Sequence, residues 1–440
     1  MKSHTLNQDQ EAAASAVTQF LLSSDKEFRI SGPAGTGKTF MMHHIMETIL
    51  AEYSRICELL GDTPVQYEIA LTATTNKATE VLSLSTGLPA QTIHSFMNLK
   101  VYDDYSTGQS KISRKNTWKV HNKTLLFIDE ASMVDQTLYK FLQEGTDNTC
   151  KIIYLGDHCQ LAPVHETLSA VYKTQTNTSH LTIPVRNAGQ PALVALCNQL
   201  REDVEHDTFS YIYPTPGVID YVDESEALAF IDSTFKTENP DARILCYSNT
   251  RVNEYNQYIR NLRGHPEQFT AGESVVNNGA IEIGQLMLKV EQEFRIHSVN
   301  STPYAVLFDK DQAELDVYDV TLFSTSHNHG INVKLPANPD HFKSLMRHYS
   351  RLKDWTNYFF LKNNFPDLRP RDAATVYKAQ GSTYRTVFMD LTNIGKSTDD
   401  GQIARMLYVG ASRATTRLLL HGLLPSRLLS KVKEPLREAV

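Results

Sequence analysis

The sequence predicts an α/β protein built on parallel sheets, and three observations predict it. A phosphate-loop pattern joins a strand end to a helix start. Four apolar runs are separated by helical stretches. The same alternation returns near the C-terminus after a stretch rich in short strands. The pattern G-x-x-x-x-G-K-[ST] is met by residues 32 to 39. Phe28 to Ile30 reads as the strand end before it. Met41, Met42, Ile45, Met46, Ile49 and Leu50 repeat at helical spacing after it. The remaining runs, 69–72, 125–128 and 151–155, read as buried parallel strands. Ahead of them, Thr5 or Asn7 can cap a helix with Val17, Phe20 and Leu21 on its apolar side.

The bulk numbers fit two to four domains of a globular protein: 440 residues, 41% hydrophobic and 21% charged. A net charge of −7 excludes a uniformly basic nucleic-acid coat but allows a local basic groove. Cys57, Cys150, Cys159, Cys197 and Cys246 are scattered without a C-x-x-C pair, so free thiols in a reducing compartment are expected and zinc is not. The start is polar and no apolar run reaches membrane length, so a soluble cytoplasmic protein with no membrane partner is expected. His327 and His329 fall in a polar stretch without acidic or cysteine neighbours and read as a solvated loop.

The expected organisation is two α/β domains, each carrying an insertion. Val101 to Ile112 reads as a polar hairpin inserted in the first. The second starts near residue 181, with a strand from Arg243 to Tyr247 and a helix from Thr250 to Arg263. Residues 266 to 336 become short strands, including Ile281 to Val290, Tyr304 to Phe308 and Val317 to Phe323. They predict a small β-barrel-like insertion. Residues 340 to 361 read as one helix, and the strands Thr386 to Met389 and Arg417 to Leu420 close the pattern.

Three groups of residues carry chemistry. Gly32, Pro33, Ala34, Gly35, Thr36 and Gly37 form a loop whose backbone N–H groups would curl around the phosphates of a nucleoside triphosphate, helped by the positive end of the next helix. Lys38 would reach the β- and γ-phosphates and the Thr39 hydroxyl would hold Mg²⁺. The strand Leu125 to Ile128 ends in Asp129 and Glu130. The first would hold Mg²⁺ through water and the second would polarise the attacking water. Gly156-Asp157-His-Cys-Gln160 follows another strand and places the Gln160 amide at the sheet edge, where it can sense a γ-phosphate or orient water.

The order of motifs resembles the superfamily 1 helicases. Leu6-Asn7-x-x-Gln10, the phosphate loop, Thr74 to Ala78, Thr92-Ile-His94-Ser95-Phe96, Asp129 to Met133 and Gly156 to Gln160 are similar to the family's N-terminal series. Val185-Arg186-Asn187, Thr375-Val-Tyr377-Lys378-Ala-Gln380-Gly381 and Tyr408-Val-Gly-Ala-Ser412-Arg413-Ala414 continue it. The likeness is strongest to the 5′→3′ branch, the RecD-like and Dda-like enzymes. It implies two RecA-like domains: residues 1–96 with 121–180, and 181–265 with 373–440. It also implies a pin hairpin at 97–120 and an SH3-like barrel at 266–372.

By that resemblance Gln10 would read the adenine edge. Arg186 and Arg413 would reach the γ-phosphate from the second domain. Gly381 would let its loop approach the nucleotide, with Gln380 coupled to it. The DNA track would use Thr75, Thr92, His94 and Ser95, then Thr375, Tyr377 and Lys378. Tyr102 and Tyr105 of the hairpin would stack on bases, wedge the duplex or pack against the barrel, whereas Phe96 and Trp355 are expected in the core. Two positions depart from the family pattern: Thr74 replaces a proline and Tyr377 a histidine, both on the expected DNA path.

The expected activity is ATP-dependent 5′→3′ translocation and unwinding, driven by closure of the two RecA-like domains. The expected partners are single-stranded and forked DNA and replication or recombination proteins. A monomer is expected, in the host cytoplasm if phage-encoded. An RNA or DNA remodelling or annealing ATPase and a non-catalytic ATP-gated binding module stay open as alternatives. A small-molecule kinase would have no use for Arg413.

Overall fold

The computed structural model describes residues 6–163, 166–183, 190–284, 286–310, 312–324 and 327–433. The chain forms two compact units. One comprises Met1–Leu99, Arg114–Tyr221 and Ala379–Val440, the other Lys100–Ser113 and Val222–Lys378.

The first unit is built on a six-stranded parallel sheet. Its order is Ala90–Thr92, Glu68–Ala73, Thr124–Asp129, Lys151–Gly156, Glu27–Ser31 and Thr178–His180. The central strands are apolar on both faces, as a sheet covered by helices requires. Asn7 caps the helix Gln8–Leu22 in a reciprocal capping box with Gln10, and Val17, Phe20 and Leu21 are buried. The phosphate loop feeds the helix Lys38–His44. A single π turn, Ile45–Ile49, joins it to Leu50–Leu60. Met41, Met42, Ile45 and Ile49 pack with Phe20, Phe28, Leu125 and Phe127 in one core. The unit also holds the parallel pair Tyr384–Asp390 and Ala414–His421, with the helix Asp400–Ala411 between them in sequence.

In the second unit Ala242–Cys246 pairs in parallel with Ala373–Thr375, and the helix Asn249–Leu262 follows the first of them. The Asn256 side chain pairs with both the N–H and the carbonyl of Ala373, acting as a piece of neighbouring strand. A five-stranded antiparallel sheet runs in the order His327–Pro336, Ala313–Ser324, Glu293–Phe308, Ser274–Asn277 and Leu368–Pro370. The hairpin Leu99–Asp104 and Gln109–Arg114 places its residues 100–113 in this unit.

Three expected elements differ. His327 and His329, expected in a loop, open the strand His327–Pro336, which pairs with Ala313–Ser324. The single strand expected from Ile281 to Val290 is a hairpin, Ile281–Ile283 against Leu286–Leu288. Gly284 sits between them at φ +63°, which only glycine adopts cheaply. The single helix expected over 340–361 is two helices, Pro339–Leu352 and Trp355–Asn364. Lys353 turns left-handed at φ +56°, and Asp354 caps the second helix by accepting from the Asn357 N–H.

Candidate active site and nucleic-acid interface

Strand register collects the chemistry of the first unit at one sheet edge. Ser31 lies opposite Gly156 and His180, and Ala73 lies opposite both Asp129 and Thr92. The loops leaving these positions carry the phosphate loop, Asp157 to Gln160, Asp129-Glu130, Thr75 and His94. This is the carboxyl edge at which parallel α/β sheets bind ligands.

The phosphate loop needs its glycines. Gly35 and Gly37 stand at φ +86° and +90°. A side chain at Gly32 would run into the Leu181 carbonyl oxygen. Lys38 Nζ donates to the Gly32 and Pro33 carbonyls at 2.7 and 2.9 Å, so the ammonium is folded over the loop that it would otherwise offer to phosphate. Gln10 is buried. Its Nε2 donates to the Thr36 carbonyl at 3.3 Å and its Oε1 accepts from the Asn7 N–H, so it braces the loop from the helix start.

The acids stand beside this loop. Glu130 occupies the left-handed region at φ +52°, a strain on the order of 1–3 kcal/mol of the kind found at functional sites. Burial, and then the Glu130 carboxylate, push the Asp129 carboxyl up to about 6 against the pull of Lys38. A threonine hydroxyl and a carboxylate in this acid-rich setting are hard oxygen donors, so Thr39 and Asp129 fit Mg²⁺.

Gln380 ties these pieces together. Its Nε2 lies 3.3 Å from Glu130 Oε2, 3.2 Å from Ser132 Oγ and 3.1 Å from Gln160 Oε1. Two hydrogens thus face three acceptors, and Gln380 Oε1 is buried without a hydrogen-bond partner among the described residues. Among the described residues, the adjacent Gly381, at φ +81°, has Glu130 Oε1 alone within 4.0 Å of its missing side chain.

Arg413 is buried. It donates to the Val409 carbonyl, the Ser382 carbonyl and the Ser412 hydroxyl at 3.1, 3.1 and 2.8 Å. Arg186 lies outside the described residues.

The expected DNA contacts fall on both units. Thr75 and Thr92 each cap a helix, accepting from the Ala78 and Ser95 N–H groups at 3.1 Å. Ser95 is exposed and Phe96 is buried. Burial pushes the His94 imidazole down from its usual value against the pull of Asp135, which favours the neutral ring.

In the second unit Thr375 Oγ1 accepts from the Lys378 N–H at 3.3 Å, and Tyr377 is half-buried. Lys378 Nζ pairs with Glu291 at 2.6 Å and with the Asn278 side chain. Tyr102 and Tyr105 are exposed, and the Tyr105 ring meets Phe359 edge-on with centroids 5.0 Å apart. Trp355 is half-buried, and its ring lies directly on Gly108 of the hairpin instead of in a core. A Cβ at Gly108 would run into the Trp355 ring, so the glycine leaves a flat seat for the indole. Asp103 accepts from Lys362, Asn363 and Ser110, so the hairpin is tied down at its flank as well.

Residues 5–222 match the AAA domain family and residues 372–421 the UvrD-like helicase C-terminal domain. The ATP-dependent DNA helicase dda of Enterobacteria phage T4 is 23% identical over 452 residues, covering 93% of this chain and 97% of that protein. The chain belongs to the superfamily 1 helicases. The RecBCD enzyme subunit RecD of Buchnera aphidicola subsp. Schizaphis graminum is 32% identical over 156 residues, 31% of this helicase and 23% of RecD. Among solved structures, Pif1 helicase from Bacteroides in complex with ADP-AlF3 and single-stranded DNA superposes with a TM-score of 0.50 at 15% identity, over 98% of this chain and 95% of that one. At that identity the likeness is one of fold, and the fold is the pair of RecA-like domains of this superfamily.

Arg201, Arg405 and Glu291 carry no motif signal and were not legible as site residues. Arg405 Nη1 reaches the His158 carbonyl and, at 2.6 Å, the Gln160 carbonyl. The spacing of Arg405 and Tyr408, three apart on one helix face, is the only trace of this contact in the sequence.

Proposed function

We propose that the protein is an ATP-dependent DNA helicase that moves 5′→3′ along single-stranded DNA and unwinds duplex DNA. The observation that carries this reading is the convergence of Glu130, Gln160 and Gln380 beside the phosphate loop. Gln380 and the DNA residues Thr375, Tyr377 and Lys378 belong to one short run, so a group at the ATP site and the DNA grip are joined through a few residues of backbone. The near full-length similarity to the ATP-dependent DNA helicase dda of phage T4 supports ATP use and a DNA substrate.

In this reading Lys38 leaves the Gly32 and Pro33 carbonyls for the γ-phosphate, Glu130 takes the proton of the attacking water and Gln160 orients that water. When bound, Mg²⁺ held by Thr39 and Asp129 neutralises phosphate charge. Arg186 and Arg413 supply charge to the transition state. ATP-driven closure of the RecA-like domains, 1–96 with 121–180 and 181–265 with 373–440, advances the strand. The hairpin at 97–120 serves as the pin, and the antiparallel sheet of 266–372 as an SH3-like support. Forked DNA is the substrate, the protein acts as a monomer in the cytoplasm, and replication or recombination proteins are its partners.

ATP turnover measured with DNA and RNA oligonucleotides of one sequence tests the reading. Stimulation by DNA over RNA that vanishes in Lys38→Ala is expected. Equal stimulation by RNA favours a remodelling ATPase, and no turnover with saturating single strand favours a binding module.

A further inference from the structure

Asp157 has no role in the chemistry above, yet it is completely buried and heavily engaged. Its Oδ2 accepts from the Tyr408 hydroxyl at 2.6 Å. Its Oδ1 accepts from the Cys159 N–H at 3.1 Å and lies 3.4 Å from Arg201 Nε. Its own carbonyl accepts from the Gln160 N–H at 3.0 Å. Asp157 thus meets three elements. One is its own loop, ending in Gln160. The second is the helix Asp400–Ala411, which leads straight into Arg413. The third is the helix Pro191–His206, which begins five residues after Arg186. Arg405 grips the same loop from the second of these, through the His158 and Gln160 carbonyls.

A metal centre is the simpler reading of such a cluster, since ligand atoms of Asp157, His158 and Cys159 lie within 4.8 Å of one another. The Arg201 guanidinium already supplies the positive charge, at 2.8 Å from Glu205 and 3.4 Å from Asp157, so a cation is not needed. Stability alone is also a poor reason for the cluster, because apolar side chains of the same volume are often as stable as a buried ionic network.

The pattern of unmet donors and acceptors is more telling. Arg201 Nε is buried and, at 3.4 Å from Asp157, makes no hydrogen bond among the described residues. On the other side of the loop Gln380 Oε1 is buried and unpaired as well. These two atoms flank the loop that Asp157 and Gln160 share, and each leaves the loop's neighbours with a hydrogen-bonding capacity that the Asp157 contacts do not fill.

We propose that Asp157 is the junction through which the two helices set the position of the Gln160 amide, with Tyr408, Arg405 and Arg201 as positioning residues for ATP turnover. The inference rests on the reading of Gln160 as the group that faces the γ-phosphate. Motion of either helix is passed to Gln160 through the Asp157 carboxylate and the loop carbonyls, so the helix that leads into Arg413 and the Gln160 amide move as one.

Tyr408→Phe removes one hydroxyl without changing packing volume, and Arg405→Lys keeps the charge but ends one bond short of the nitrogen that donates to both carbonyls. ATP turnover with saturating single-stranded DNA, the thermal midpoint and amide exchange at residues 157–160 are measured in the full chain. In Tyr408→Phe, kcat is expected to fall about tenfold with KM for ATP and the thermal midpoint unchanged, while exchange at 157–160 rises about tenfold. Arg405→Lys is expected to do the same, and Tyr408→Phe with Asp157→Asn to cost no more than the worse single change. Unchanged exchange in Tyr408→Phe, parental kcat, or additive losses in the double variant overturn the proposal. A parent protein without ATP turnover overturns the function proposed above, and the exchange at 157–160 then still decides the junction.

Discussion

The Lys378 ammonium lies 2.6 Å from the Glu291 carboxylate, so the cation expected to grip DNA is held by a protein anion. Both groups are partly exposed, and such pairs contribute at most about 1 kcal/mol. A phosphate can therefore displace Glu291. Glu291→Gln is expected to tighten single-strand binding about two- to fivefold at low salt. Lys378→Ala is expected to lower the slope of log affinity on log salt by about one. Fluorescence titrations over a salt series check both.

The hairpin is braced by Trp355 on Gly108, by Tyr105 on Phe359 and by Lys362 on Asp103. Gly108→Leu puts a branched chain where the indole lies and at φ +70°. It is expected to slow unwinding of forked DNA severalfold while single-strand-stimulated ATP turnover stays within about twofold, since the hairpin is remote from the phosphate loop in the chain. Parallel turnover and unwinding assays read the split.

Arg413→Lys keeps a positive charge but not the planar fork. If Arg413 supplies charge to the transition state, turnover falls by roughly 10³-fold, within the range for arginine fingers. Binding of ADP is expected to change little. A loss confined to thermal stability would assign Arg413 to the helix end that it already holds through Ser382 and Val409.

Burial pushes the Glu273 carboxyl up, but the Arg260 guanidinium and the Thr270 donors outweigh it and hold the group below its usual range. A depressed folded value contributes stability that is present above the ordinary carboxylate value. It is lost as pH falls through the folded one. Thermal midpoints are therefore expected to drop on acidification, and Glu273→Gln to lower the midpoint at pH 7 and flatten that drop.

Legibility followed the range of the forces. Strand runs such as Leu125 to Ile128 and the loop from Gly32 to Thr39 are local patterns, and the register that brings Asp129 level with Ala73 and Thr92 follows from parallel pairing. The break at Lys353 was hidden because a lysine carries no turn signal, and the apolar positions continue past it from Leu352 to Trp355 and Phe359. The Trp355 seat depends on a glycine some 250 residues away, and the Asp157 junction joins segments equally far apart. No local periodicity encodes either contact. Motif resemblance named Asp157 and Tyr408 but not their hydrogen bond.

The most direct test of the account is strand separation on two forked duplexes that differ only in tail polarity, one with a 5′ and one with a 3′ single-stranded tail, with ATP and Mg²⁺. The account predicts unwinding from the 5′ tail, none from the 3′ tail, and none from either in Lys38→Ala. Unwinding from the 3′ tail alone, or retained unwinding in Lys38→Ala, would contradict it.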